Sequence, residues 1–92
     1  MKTIALALAS LLLLSVAAFA ADVEMTSVQS SLLNKVGYDP EAKVLIVQMN
    51  NSSDRYFYSD VPQSVFDGLM DAPSKGSFYV KKIKGQYPSQ RK

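Results

Sequence analysis

The sequence predicts an α+β fold: a small three-stranded antiparallel β-meander followed by one or two short helices packed on one face. Three observations predict it. The run Val44-Leu45-Ile46-Val47 is mostly β-branched and carries the clearest strand signature in the chain. Three consecutive aromatics, Tyr56-Phe57-Tyr58, follow it across a polar connector of hairpin length. Beyond Pro62 the apolar period changes, and Val65, Phe66, Leu69 and Met70 recur at the spacing of one buried helical stripe.

Taken in order, the chain opens on residues 1–20, where Lys2 precedes a nearly unbroken apolar run from Ile4 to Ala18. Ala18-Phe19-Ala20 then places small residues where a signal peptidase reads them, so this segment is expected to be a cleaved secretory signal. The run is shorter than the roughly 20 residues of a full membrane span. Residues 21–29 are polar and read as a leader into the fold. Residues 30–38 form a strand with an irregularity: Leu32, Val36 and Tyr38 share one parity and Leu33 breaks it. Gly37 marks that irregularity or a close backbone approach. Asp39-Pro40-Glu41-Ala42 is a turn, with Asp at its start and Pro presetting φ.

Lys43–Met49 is the second strand, with Leu45, Val47 and Met49 on one face. Residues 50–54 connect it to the aromatic strand, which is read as an inner or well-covered one. The helix after Pro62 is weakened by Gly68 by up to about 1 kcal/mol relative to Ala. Ala72-Pro73 ends it, because the residue before a proline is pushed out of helical φ/ψ. Ser74 stands at an N-cap position, and a second helix is expected from Lys75 to Lys84, with Gly85 as its stop. Tyr87 is expected to fold back on the core, and residues 88–92 to be a disordered basic tail.

The chain has no cysteine, so no disulfide can hold this small domain together. Stability must come from packing, and the eight aromatics after residue 20 supply most of one small core. The absence of both His and Cys removes the usual general base, thiol nucleophile and soft metal ligands. The acids are scattered over turns, with neither a paired-carboxylate nor a calcium-loop pattern. No enzyme activity, no metal site and no cofactor are therefore expected. Charge is unevenly distributed. Residues 21–74 hold eight acids and three cations, whereas Lys75, Lys81, Lys82, Lys84, Arg91 and Lys92 follow without any acid. Such asymmetry marks either a solvated helix face or an end that meets polyanions.

Several short motifs fall together in order: Ser30-Ser31, Val36-Gly37-Tyr38-Asp39, Leu45-x-Val47, Tyr56-x-Tyr58, Val61-Pro62, Ala72-Pro73-Ser74-Lys75-Gly76 and Ile83. In that order and nearly that spacing they resemble the KTSC domain, with residues 30–87 as the domain. That family takes its name from the C-terminal region of some lysyl-tRNA synthetases and also occurs as a stand-alone bacterial protein. The resemblance implies a small domain of unknown function, for which RNA binding has been suggested from the synthetase context. The chain departs from the family pattern at Met49, in a Gly-free loop one residue longer, and at Val80 where an Asn is common.

These readings leave a short set of candidate ligand-binding residues. Tyr56 and Tyr58, spaced by two on a strand, either stack bases or pack one face of a core. Ser74, Lys75 and Gly76 combine free helix-start N–H groups with one cation, which suits a phosphate, sulfate or carboxylate. Lys81, Lys82 and Lys84 form the basic helix surface. The function expected from the sequence is an exported, non-enzymatic binding module of the KTSC type, periplasmic or secreted, for a protein or an anionic ligand. The alternative is nucleic-acid binding through the Tyr-x-Tyr strand and the Lys-rich helix, which export disfavours. No stable membrane span remains after cleavage. Intact mass of the protein recovered from the envelope fraction should correspond to a chain beginning at Ala21; a species retaining Met1, or one found only in the cytosol, would contradict export.

Overall fold

The strand signatures resolve into a five-stranded antiparallel sheet whose strands lie side by side in chain order. The computed structural model describes residues 23–92, so the signal reading of residues 1–20 lies outside the described residues. The strands are β1 (Thr26–Ser27), β2 (Leu33–Asp39), β3 (Val44–Met49), β4 (Arg55–Tyr58) and β5 (Ser89–Arg91). Two helices, α1 (Gln63–Asp71) and α2 (Lys75–Lys82), lie between β4 and β5 in sequence. The α+β class and the central meander are as expected, but the sheet has five strands rather than three.

One additional strand falls in the polar leader and the other in the stretch expected to be a disordered tail. β1 belongs to the leader and pairs Thr26 with Val36. β5 belongs to the supposed tail, where Lys92 N–H donates to Arg55 O at 2.7 Å and Arg55 N–H to Lys92 O at 3.1 Å. Each is short, polar and exposed, so the backbone ladder alone holds it and its side chains carry no alternating signature. With β5 in place, β4 is an inner strand between β3 and β5.

The irregularity in β2 is a register shift between Leu33 and Lys35. Asn34 is the extra residue, and its insertion restores Leu33 to the same face as Val36, which explains the broken parity. Both side chains are fully buried. Gly37 marks a close approach instead: a Cβ there would lie 2.7 Å from the Glu24 carbonyl oxygen and from the Met25 sulfur. The Asp39 turn forms as expected, with Asp39 Oδ1 accepting from the N–H groups of Glu41 and Ala42 at 3.0 and 3.2 Å.

One face of the sheet is apolar. Leu33, Val36, Leu45, Val47 and Tyr58 meet Val61, Leu69, Tyr79 and Ile83 from the helical side in a single buried cluster. The corner between β4 and α1 is pinned by Tyr38, whose hydroxyl donates to Val61 O at 2.5 Å while its ring stacks on Phe66 at 5.1 Å. Gly68 has a packing reason, since a Cβ there would sit 2.9 Å from the Phe78 ring, where α1 and α2 touch. α2 ends two residues earlier than expected: both Ile83 and Lys84 N–H groups turn back onto Tyr79 O, at 3.0 and 2.9 Å.

Inside the buried cluster two tyrosine side chains meet through their hydroxyls. Tyr58 and Tyr79 are 3 % and 2 % exposed, and their hydroxyls meet at 2.5 Å with the rings edge to face. Burial, reinforced by the bond to Tyr58, pushes the Tyr79 hydroxyl well above the ordinary tyrosine value. Below about pH 10 the phenol is neutral in both folded and unfolded chains, so this contribution to stability is fully present. Above it the unfolded chain ionises while Tyr79 remains protonated in the fold, and stability falls as pH rises towards the folded-state value. Urea melts of wild type between pH 9 and 11 should therefore show a steepening loss that Tyr79→Phe reduces. Parallel pH profiles for the two proteins would contradict this assignment.

Candidate functional site

The candidate residues separate into two environments. Tyr56 and Tyr58 lie on the helix-covered face of the sheet, because their parity on β4 matches Leu45 and Val47 on β3. Tyr58 is consumed by the core and Tyr56 is half-buried against it. The base-stacking arrangement, which needs both rings on an open face, is thus not formed: a core this small requires the aromatic bulk on its inner side.

Ser74, Lys75 and Gly76 start α2 beside a second chain segment, and the two segments bound an open groove of about 540 Å³. Gln29, Ser30, Ser31 and Leu32 line one side; Pro73–Ser77, Val80 and Lys81 line the other. Ser74 is the N-cap, its Oγ accepting from Ser77 N–H at 3.3 Å. Lys75 Nζ donates to Ala72 O at 3.2 Å, across the junction between the helices. A Ser–Lys nucleophile arrangement is therefore not made here, since each side chain is bonded to backbone. Gly76 lets the helix approach the facing loop, as a Cβ would lie 3.3 Å from Leu32 Cβ and 3.4 Å from Ser30 Oγ.

The facing loop is held by its own bonds. Ser30 Oγ accepts from the N–H groups of Leu32 and Leu33, both at 3.1 Å. Asn50 Nδ2 donates to Ser30 O at 2.7 Å, and Asn50 N–H to Leu32 O at 2.9 Å. The loop between β3 and β4 thus sets one groove wall, which no local motif in residues 29–32 announces. Lys81 lies at the groove and also borders a shallower hollow of about 310 Å³ with Phe78 and Lys82. Lys82 and Lys84 are exposed outside the groove, so the three candidate lysines do not converge on one ligand.

Sequence reasoning missed Ser31, Leu32 and Val80 as groove residues. Val80 is 51 % exposed and is the large hydrophobic that stands out to solvent among the described residues. Its neighbours Lys81 and Lys82 hid it within what read as a solvated helix face. No carboxylate lines the groove. Among the described residues, no cluster of three His, Cys, Asp or Glu could hold a metal ion. No described helix is long and apolar enough to cross a membrane.

A compact meander with two covering helices and such a groove has known counterparts. The KTSC domain model matches residues 29–87, so the chain belongs to the KTSC domain family. The crystal structure of a KTSC domain protein from Yersinia pestis superimposes with a TM-score of 0.73 at 31 % identity, covering 77 % of this chain and 99 % of that one. A protein of Tsukamurella paurometabola is 39 % identical over 54 residues, 59 % of this chain and 79 % of its own length. An uncharacterised protein of Stutzerimonas stutzeri is 34 % identical over 65 residues, 71 % of this chain and 90 % of its own. A lysine–tRNA ligase of Nostoc sp. is 36 % identical over 59 residues, which span 64 % of this chain and 10 % of that enzyme.

Proposed function

We propose that this protein is an exported, non-enzymatic binding module that holds an acidic segment of a partner protein in the cell envelope. The groove beside α2 carries this reading. Its lining combines apolar Leu32 and the exposed Val80 with Lys75 and Lys81 and contains no acid. Apolar contact supplies burial, while the cations steer an acidic chain and set its register. Other anionic ligands would use the same lysines. Export rests on the charged, apolar and small-residue pattern of residues 1–20.

The similarity of residues in this domain to a tenth of a lysine–tRNA ligase favours a second reading, nucleic-acid binding through Lys81, Lys82 and Lys84. The two are separated by amide chemical shifts of the labelled chain from Ala21 onward, titrated with a Glu- and Leu-containing peptide or with a single-stranded oligonucleotide. The peptide should move Ser31, Gly76, Ser77 and Val80, and Val80→Asp with Lys81→Glu should abolish the effect. Shifts confined to the oligonucleotide and to residues 81–84 would replace the first reading with the second. No response to either probe would overturn both.

A further inference from the structure

The helices cover one face of the sheet, and the other face has a chemistry of its own. Cross-strand register places Lys35, Gln48 and Arg55 in one row, and the paired backbone groups of Arg55 and Lys92 extend that row into the last strand. Strands lie about 4.8 Å apart, so these three cations occupy a band about 15 Å wide. Arg55 Nε donates to Gln48 Oε1 at 3.1 Å, which lays the guanidinium along the sheet surface. The next row contains Phe57, with Lys92 Nζ 5.2 Å above its ring. Neither row includes a carboxylate. The acid of the same parity on β2 is Asp39, at the far end, with Oδ1 engaged by the turn.

The entering chain reaches the fold on this same face, since Glu24 and Met25 pack over Gly37.

We propose that this face docks on an anionic lipid surface, with Lys35, Arg55 and Lys92 among the headgroups and Phe57 at the interface. α2 and its groove then point away from the bilayer. The charge matches, and the surface is a broad sheet rather than a cleft. This inference concerns side chains other than those of the groove and stands whether or not the groove holds an acidic peptide.

Vesicle sedimentation tests it, using the chain from Ala21 onward, which contains every element of the fold and excludes the apolar run as a source of binding. Vesicles of phosphatidylcholine with added phosphatidylglycerol should retain the protein at low salt and release it at high salt. Each basic side chain near the surface contributes about fivefold in partitioning. Lys35→Gln and Lys92→Gln should each lose about that factor, and the triple variant with Arg55→Gln about a hundredfold. Arg55→Lys should retain binding, as should Lys81→Gln with Lys82→Gln on α2. Thermal melts establish that each variant is folded, and the two single variants suffice if the triple is not. Equal binding to neutral phosphatidylcholine would overturn the proposal, as would loss with the α2 pair instead of the sheet residues. Tighter capture of a single-stranded oligonucleotide than of anionic vesicles by the same three side chains would make the occupant a nucleic acid.

Discussion

A single apolar layer holds this domain together, and every other feature is arranged around it. Five sheet residues and four from the helical side account for the buried cluster, without a disulfide or a metal cluster among the described residues to supplement it. With so little apolar surface to bury, few large side chains can be diverted elsewhere. Tyr58 and Tyr79 are accordingly drawn inside, and their hydroxyls satisfy each other rather than a ligand. Phe78 presses against the bare backbone at Gly68 for the same reason: only a minimal residue lets the two helices close over the sheet. Surfaces available for binding are those the layer does not use, namely the groove beside α2 and the outer face of the sheet.

Much of this was legible in the residue pattern. The β-branched run, the three aromatics and the helical stripe after Pro62 each report burial through side-chain period, and each lies where that period places it. Leu33 reported its bulge by breaking parity, and Ser74 its capping role by standing before a helix start. Thr26–Ser27 and Ser89–Arg91 reported nothing, because a polar, exposed strand is held by backbone groups that every residue shares. The groove was half legible. Ser74, Lys75 and Gly76 are contiguous and chemically distinctive, but their opposing wall is set by Asn50, twenty residues beyond Ser30, and only the folded meander brings them together. The two tyrosines read as ligand platform or, more commonly for such pairs, as packing, and their parity with Leu45 and Val47 on the ladder places both on the core face.

The last strand also bears on self-association. Were residues 88–92 absent or displaced, β4 would become the margin of the sheet. Its backbone N–H and C=O groups would then face solvent beside three adjacent aromatic rings, a template on which another chain could add a strand. As folded, the margin is instead Ser89, Gln90 and Arg91, polar and exposed throughout, with Lys92 following. A self-association hazard carried by the most aromatic strand is thereby covered by a segment with almost no hydrophobic character. Anything fused, cleaved or bound at that end bears directly on colloidal stability.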